Sequence, residues 1–326
     1  MVNLIIPVYK ARETLPRALD SLVAQTKKMF IVTIVQDCDG EDYKKLIEEY
    51  RRRGLKIRHL ITPENLGPGG ARQYGIDSDD MCDYFMFLDA DDMLYPRAID
   101  ALYHEAKLHN ADVISSSFMA EDEHTTINFP VEDTPVTWTH GKIYRAKYLK
   151  DNNIRFLKNL RLNEDSYFNL VAINCTKNKF KLREYTYLWR ENKNSLTRKE
   201  DRVSFLEKSW SQYVYSQVQG LLDILKLKGD LTPSLIAATL NNIYSQMMEA
   251  IYYKIPIESV KPVCSQLGEN KVILDLIDTE EFWRTIYNVV KPSLLTNNTL
   301  IFFKMRFCDW LNEYILGEDG NEVIYS

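Results

Sequence analysis

Three carboxylates follow an apolar run in the segment FLDADD, at Asp89, Asp91 and Asp92. Two carboxylates one residue apart can reach a common ligand where the chain turns. Hard divalent cations prefer oxygen ligands, commonly one or two carboxylates together with the phosphates of a substrate. The spacing therefore predicts metal-assisted chemistry on a phosphate-bearing ligand. The structural alternative is that Asp91 or Asp92 caps the helix that Pro96 opens.

A second acidic pair, Glu164 and Asp165, stands in the segment NEDSYF. A carboxylate with a pKa near ~4 is ionised at neutral pH, so it can accept a proton from an attacking hydroxyl group. The alternative is the first turn of a helix, where acidic side chains interact favourably with the helix dipole. Both interpretations can hold, because a helix that starts at the rim of a pocket would orient Asp165 toward it.

Short apolar runs alternate with amphipathic stretches over the first third of the chain. The predicted strands are 3–8, 30–35, 56–61, 84–89 and 112–118, and the predicted helices are 13–25, 41–54, 68–77 and 96–109. This alternation predicts a mostly parallel α/β sheet with helices on both faces. Ligands of such sheets bind beyond the carboxyl ends of the strands. FLDADD lies at one such end, and VQDCDG, which contains Asp37, lies at another.

The pattern changes at about residue 203, where apolar side chains recur at helical spacing between prolines that mark helix boundaries. We therefore predict an α/β domain over 1–200 and an all-helical accessory domain over 201–326. The aromatic residues of the helical part, among them Tyr244 and Trp310, are predicted to be buried against the first domain or within the helical part itself. The alternatives are that they face an acceptor, a membrane surface or a partner subunit, which would make the chain a homo-oligomer.

The composition is that of a soluble protein with a substantial core, with 45% apolar and 27% charged residues. The start of the chain lacks the basic leader of a signal peptide, and no apolar run approaches the ~18 residues of a membrane span. Five widely spaced cysteines without a C-x-x-C pair predict reduced thiols and no zinc site. We expect a cytoplasmic protein, with a peripheral position at the inner membrane face as the alternative. The net charge of −5 resides in 201–326, which disfavours nucleic acid as a partner.

Taken in order, five segments resemble the motifs of the family 2 glycosyltransferases over about residues 1–200. They are IIPVYKARETLPRALDSLVAQT, VQDCDG, ENLGPGGARQYGI, FLDADD and NEDSYF. Members of this family are inverting enzymes that use nucleotide sugars and have the GT-A fold. The resemblance implies a GT-A domain, a UDP-sugar donor, Mn²⁺ or Mg²⁺ as cofactor, and transfer to a hydroxyl group of a glycan, a lipid-linked sugar or another acceptor.

The resemblance also implies roles for single residues in donor binding. Pro7, Val8 and Tyr9 match the loop that packs on the nucleotide base. Asp37 matches the aspartate that binds uracil, and Arg72 matches the arginine that contacts the nucleotide. Asp89 matches the aspartate on the ribose side. Cys38 occupies a position that is usually glycine in the family, so the loop after the second predicted strand is expected to be less tight.

The catalytic roles implied by the resemblance fall on three acidic residues. Asp91 matches the ligand of the metal ion that binds the diphosphate. Asp165 matches the general base, with Glu164 beside it. An inverting transfer is one displacement at the anomeric carbon, so the acceptor hydroxyl group must lose its proton as it attacks.

Three further residues are candidates for donor contacts. His140 and Lys142, in THGKIYRAKYL, are predicted to contact the donor sugar or the pyrophosphate, with a structural role as the alternative for His140. Arg190, in YLWRENKNSLTR, matches a segment that closes over the donor, and its planar guanidinium suits phosphate oxygens. The alternative for Arg190 is a salt bridge to Glu184 or Glu191.

Two other functions compete with sugar transfer. A sugar-phosphate nucleotidyltransferase would share the α/β sheet, but IIPVYKARETL lacks the glycines of a triphosphate-binding segment. A catalytically inactive GT-A-like binding module is the second alternative. The joint presence of Asp37, Arg72, Asp89, Asp91 and Asp165 argues against it.

Overall fold

The structure is a computed structural model that describes residues 1–27, 29–121, 128–131, 138–190, 201–290 and 306–316. The chain forms two compact units, Met1–Ser195 and Leu196–Ser326. Every candidate site residue lies in the first unit.

One mixed sheet forms the centre of the first unit. Its strands within the described ranges are β1 (Val2–Val8), β2 (Phe30–Gln36), β3 (Ile57–Ile61), β4 (Tyr84–Phe87), β5 (Met93–Leu94), β6 (Val113–Glu121), β7 (Asn128–Val131), β8 (Lys142–Arg145) and β9 (Lys179–Arg190). The strand order is β3-β2-β1-β4-β8-β6-β9-β5, with β7 beside β6. Neighbouring strands from β3 to β4 run parallel, and β8 runs antiparallel between β4 and β6. The five predicted strands are all present.

Six helices accompany this sheet in the described part of the first unit. They are α1 (Leu15–Val23), α2 (Lys44–Arg52), α3 (Gly67–Asp77), α4 (Ala98–Leu108), α5 (Ala146–Asp151) and α6 (Glu164–Asn174). The four predicted helices correspond to α1, α2, α3 and α4; α1, α2 and α4 are slightly shorter than predicted, and α3 begins one residue earlier.

The two faces of β1 carry different helices. Leu4, Ile6 and Val8 join a buried cluster that contains residues of α1, α2 and α4. Ile5 points to the opposite face, where a Cβ atom at Gly75 of α3 would lie 2.8 Å from its Cγ2 atom, so glycine permits the close approach of the helix. The predicted α/β sheet with helices on both faces is therefore confirmed.

The second unit is helical throughout its described residues. Its helices are α7 (Arg202–Lys228), α8 (Pro233–Tyr252), α9 (Lys261–Gly268), α10 (Lys271–Ile277) and α11 (Glu280–Val290), followed by a helical segment over 306–316 that ends in a π-helical turn, Asn312–Leu316. Asp201 and Thr232 cap α7 and α8 by accepting backbone N–H groups, and Pro233 opens α8 as its position predicts. The predicted helical C-terminal part is confirmed.

Aromatic side chains form part of the core of this second unit. Tyr244, Phe307 and Trp310 are buried and pack on one another, with ring centroids 5.3 to 5.5 Å apart. The Nε1–H group of Trp310 donates to the Sδ atom of Met247 at 3.1 Å. Burial within the helical part is therefore the observed arrangement for these residues, whereas Tyr252 remains 79% exposed. None of the helices in the described ranges is long and apolar enough to cross a membrane.

Candidate active site

Three parallel strands deliver polar residues to one edge of the sheet. Since β2, β1 and β4 are neighbours in parallel register, their carboxyl ends bring Asp37, Tyr9 and Asp89 to the same edge. The loop into α3 and the first turn of α6 meet this edge through the hydrogen bonds of Asp37 and Arg72. The site therefore combines residues that are far apart in sequence.

Asp37 binds the loop that leads into α3. Its side chain accepts hydrogen bonds from the backbone N–H groups of Leu66 and Gly67, both at 2.8 Å, and from the hydroxyl group of Thr62 at 2.9 Å. The residue is 3% exposed. A carboxylate at the N-terminus of a helix satisfies N–H groups that have no partner within the helix and interacts favourably with the helix dipole. Asp37 thus fixes the start of α3 against the end of β2.

The residues after β1 and β2 form tight loops. Lys10 and Cys38 both have left-handed backbones, with φ values of 50° and 51°. Cysteine therefore adopts the torsion angle for which glycine is usually required, and the loop keeps its tight turn. Tyr9 is 48% exposed and available to a ligand, whereas the side chain of Val8 is fully buried in the core and can offer a ligand only its backbone.

Arg72 lies between the two acidic motifs. Its Nη2 atom is 2.5 Å from Oδ1 of Asp89, and its Nη1 atom is 2.8 Å from Oε1 of Glu164. Burial alone would lower the pKa of the guanidinium group, but the charges of Asp89 and Glu164 outweigh burial and raise it. The same arginine holds the pKa of Asp89 well below its usual range, against the effect of burial. The side chain is only 5% exposed, so Arg72 bridges two motifs across α3.

Glu164 and Asp165 open α6, as the helix-start interpretation predicts. Glu164 is buried, whereas Asp165 is partly exposed and accepts a hydrogen bond from the backbone N–H group of Ser166 at 2.8 Å. Burial, and then the negative charge of Glu164, raises the pKa of Asp165 to about 7, with Arg72 acting in the opposite direction. The Nδ2–H group of Asn169 donates to the backbone carbonyl oxygen of Asp165 at 3.0 Å and helps to fix the first turn.

The helix-cap alternative for the FLDADD segment is wrong. Helix α4 begins at Ala98 with Arg97 at its N-cap position and no side-chain cap. Asp92 instead accepts a hydrogen bond from the hydroxyl group of Tyr187 at 2.5 Å and from the backbone N–H group of Arg190 at 2.8 Å. Its buried carboxylate therefore ties the end of β9 to the FLDADD loop.

His140 approaches the same acidic loop from the turn before β8. Its Nε2 atom is 3.5 Å from Oδ2 of Asp89 and 3.9 Å from Oδ2 of Asp92, and its ring stacks on Tyr187 with centroids 4.6 Å apart. Burial lowers the pKa of His140, which favours the neutral imidazole. The Nδ1 atom is buried and has no hydrogen-bond partner within the described residues.

Several of these residues offer ligand atoms to a metal ion. Within the described ranges, Asp89, Asp92 and His140 present a group of ligand atoms that all lie within 4.8 Å of one another. Two carboxylates and a neutral imidazole fit a divalent cation such as Mn²⁺ or Mg²⁺. Asp91, the ligand that the resemblance implies, is partly exposed on the same loop and lies outside this group.

Arg190 and Lys142 have partners that the sequence pattern does not indicate. The guanidinium Nε atom of Arg190 lies 3.6 Å from Oε2 of Glu121. Among the described residues Arg190 forms no ion pair with Glu184, and Glu191, the other predicted partner, lies outside them. Residues 191–198 of the predicted donor-closing segment also lie outside them. Lys142 is 1% exposed and its ammonium group donates to the backbone carbonyl of Trp138. Burial lowers the pKa of Lys142 to about 7, and the charge of Asp165 opposes this effect.

Three residues of the site were missed by the sequence interpretation, namely Tyr187, Glu121 and Asn169. Each acts by holding a neighbour: Tyr187 binds Asp92, Glu121 binds Arg190, and Asn169 binds the first turn of α6. A signal existed only for Asn169, which lies one helical turn after Asp165. A cavity of about 200 Å³ beside α3 and α5, lined in part by Asp77, Lys150 and Arg155, lies apart from these residues.

The chain was compared with known proteins. A family profile described as Glycosyl transferase family 2 matches residues 3–168. The glycosyltransferase EpsJ of Bacillus subtilis, whose function is uncharacterised, is 28% identical over 60% of this chain and 63% of its own length. The poly(ribitol-phosphate) beta-N-acetylglucosaminyltransferase TarS of Staphylococcus aureus is 28% identical over 52% of this chain and 32% of its own length. The chain thus spans less than two thirds of either relative.

Solved structures show the same fold. The structure of S. aureus TarS 1-349 in complex with UDP-GlcNAc has a TM-score of 0.69 at 19% identity, over 89% of this chain and 85% of that one. The mannosyltransferase PcManGT from Pyrobaculum calidifontis, in complex with GDP-Man and Mn²⁺, has a TM-score of 0.52 at 12% identity, over 87% of this chain and 83% of that one. The GT-A fold expected from the sequence is therefore confirmed. Because the family profile covers half of the chain and includes every acidic motif described above, the protein belongs to glycosyl transferase family 2.

Proposed function

We propose that the protein is an inverting, metal-dependent glycosyltransferase that moves a sugar from a UDP-sugar to an acceptor hydroxyl group, with Asp165 as the general base. The observation that carries this proposal is the meeting of two acidic motifs at one edge of the sheet, where Arg72 joins Asp89 to Glu164. A metal-binding loop and a base within one pocket are the two parts that such a transfer needs.

The donor would lie along the carboxyl ends of the parallel strands. Exposed Tyr9, with the backbone of Pro7 and Val8, would pack on the base, and Asp37 would face the uracil while it holds the loop before α3. Arg190 is 41% exposed on its side chain and would reach phosphate oxygens by leaving Glu121. A bound Mn²⁺ or Mg²⁺ would be held by Asp91 with support from Asp89 and His140, and would offset the charge that develops on the departing diphosphate.

The base would act in a single displacement. The acceptor oxygen forms a bond to the anomeric carbon while the bond from that carbon to the diphosphate oxygen breaks, so the configuration inverts and UDP leaves. Asp165 accepts the hydroxyl proton. A positioned base of this kind typically contributes ~10²- to 10⁴-fold to the rate, most efficiently when its pKa lies near the working pH, and the pKa of Asp165 is raised to about 7.

The choice of UDP over other nucleotides is supported by the relatives, since TarS was solved with UDP-GlcNAc. The proposed acceptor, as the family resemblance implies, is a hydroxyl group of a glycan, a lipid-linked sugar or another acceptor. The helical second unit is a candidate for acceptor binding or self-association, and the protein is proposed to work in the cytoplasm.

The test is a donor screen with the purified chain, in which release of the nucleoside diphosphate is measured for several UDP- and GDP-sugars with and without Mn²⁺. With the preferred donor, Asp165→Asn should lower transfer by ~10²-fold or more, because the amide cannot accept the proton. The variant should retain the rise in melting temperature that UDP and Mn²⁺ give the parent. Transfer by Asp165→Asn at the parental rate would remove Asp165 from this role.

The metal assignment is tested separately by Asp91→Asn. UDP and Mn²⁺ together should raise the melting temperature of this variant less than that of the parent, by the part that requires Mn²⁺. A ligand of the folded state stabilises a protein more when it binds more tightly. Asp77→Asn is the matched control, because Asp77 forms an ion pair with Arg155 away from the site, and it should keep the full effect. An unchanged response of Asp91→Asn to Mn²⁺ would contradict the assignment.

A further inference from the structure

Arg72 is placed to connect the donor side of the site with the base. Its guanidinium group donates to Asp89, two residues after β4, and to Glu164, the first residue of α6. A planar guanidinium with several N–H donors in a fixed fork can hold two carboxylates at a set distance, which the single ammonium of a lysine cannot do. One side chain therefore sets how far the acidic loop lies from α6.

The guanidinium group of Arg72 is closely surrounded by other side chains. The side chain is 5% exposed, and its guanidinium group lies 5.8 Å from the ring centre of Phe156. Its Nη1 and Nη2 atoms are engaged by Glu164 and Asp89, and its buried Nε atom has no hydrogen-bond partner within the described residues. Loss of either ion pair would leave a buried carboxylate without its compensating charge, which is unfavourable.

Helix α3 holds the other partner in place as well. A Cβ atom at Gly69 would lie 2.6 Å from Cγ of Glu164, so the glutamate side chain packs directly on the backbone of α3 one turn before Arg72. Glu164 is thus fixed by contact at its stem and by an ion pair at its carboxylate. Since Asp165 is the next residue on α6, its direction depends on how Glu164 is held.

The geometry points to Arg72 as a positioning residue that orients the base through Glu164, whereas the family resemblance implies a nucleotide contact. This inference rests on the proposed function, and it assigns Arg72 an effect on the rate of the chemical step with little effect on donor affinity. Misplacement of a catalytic group by about 1 Å can cost ~10²-fold in rate.

The experiment compares Arg72→Lys, Glu164→Ala and the double variant in the full chain. UDP binding is measured by calorimetry with Mn²⁺, and kcat and donor KM are measured with the preferred UDP-sugar. For Arg72→Lys we expect UDP affinity within about fivefold of the parent and a kcat lower by about 10- to 100-fold. Arg155→Lys, in the exposed pair with Asp77, is the matched control and should leave both constants unchanged.

The double variant distinguishes a shared role from two separate ones. If Arg72 acts through Glu164, the effects of the two substitutions on kcat should not add, because the residues interact. The kcat of the double variant should then lie within about threefold of the kcat of the slower single variant. Glu164→Ala keeps the pair of Arg72 with Asp89, so it remains informative should Arg72→Lys fail to fold. By itself it should lower kcat and spare UDP affinity.

Opposite results would overturn the inference. They are a loss of UDP affinity of more than about tenfold in Arg72→Lys with kcat retained, additive losses in the double variant, or a parental kcat in Glu164→Ala. If the parent chain transfers sugar and either single variant has the same kcat, only the positioning role is refuted. A parent chain that neither binds UDP nor transfers sugar refutes the proposed function and this inference together.

Discussion

At the scale of single residues, the acidic side chains of the candidate site differ in how far they are buried. Asp37 and Asp92 are buried and accept hydrogen bonds from the chain itself, whereas Asp89, Asp91 and Asp165 keep some exposure. The sequence marks all of them as candidates because each lies at the end of a predicted strand or at a helix start. The sequence does not reveal that Asp92 has a different role from Asp89 and Asp91, because the hydrogen-bond partners of Asp92 lie 95 and 98 positions further along the chain.

The raised pKa of Asp165 predicts how sugar transfer depends on pH. A base must be deprotonated to accept the hydroxyl proton, so kcat/KM should fall about tenfold per pH unit as the pH drops below about 7. The measurement is a pH profile of kcat/KM with the preferred donor at constant ionic strength.

Glu164→Gln supplies a direct check on the cause of this pH dependence. The glutamate charge raises the pKa of Asp165, so its removal should move the acid limb of the profile to lower pH while the amide oxygen still accepts from Arg72. An acid limb that stays in place in Glu164→Gln would mean that another group titrates.

At the scale of elements, the sequence predicts strands β1 to β4 and β6 and misses β5, β7, β8 and β9. Strands β1, β2 and β4 carry nearly continuous apolar runs, which is typical of strands covered on both faces. β9 begins with the charged segment KFKLREY, most of which is exposed, and it is held as a strand by pairing with β6. Pairing between distant segments leaves no local pattern, and for this reason β8 and β9 were not predicted.

Helix α3 lies close to its neighbours at two glycines, which allows a paired test. Gly69→Ala would bring a Cβ atom to 2.6 Å from Glu164, and Gly75→Ala would bring one to 2.8 Å from Ile5. Each should lower the free energy of unfolding by about 1 to 3 kcal/mol, because the core has no room for another methyl group. Urea unfolding measures this cost.

The two alanine variants should differ in activity. Gly69→Ala displaces Glu164 beside the base and should lower the kcat of the folded protein, whereas Gly75→Ala affects the contact with β1 and should leave kcat at the parental value. Equal kcat values in both variants would show that the contact at Gly69 matters for stability alone.

At the scale of the whole molecule, the candidate site belongs entirely to the first compact unit. Residues Met1–Ser195 contain the sheet, the hydrophobic cluster around β1 and every residue proposed to bind the donor. The second unit has its own core, which includes Tyr244 and Trp310. Donor binding and the packing of the helical unit are therefore separable in principle.

This separation predicts the behaviour of a shortened chain. Residues 1–195, expressed alone, should still show a rise in melting temperature with UDP and Mn²⁺, because the ligand binds only the folded state of this unit. The same fragment with Asp91→Asn is the control and should respond less. A folded fragment without any response to UDP would show that residues beyond 195 complete the donor site.

Cys38, at a position that the family resemblance gives as usually glycine, adopts a left-handed backbone with a φ of 51°. A non-glycine residue adopts this angle at a cost of about 1 to 2 kcal/mol. Here it leaves a thiol on the surface just after the end of β2, whereas three of the other four cysteines are buried and Cys175 is partly so. The natural chain therefore carries an attachment point for a fluorescent dye beside the proposed donor site, through which donor arrival could be followed without introducing a new cysteine.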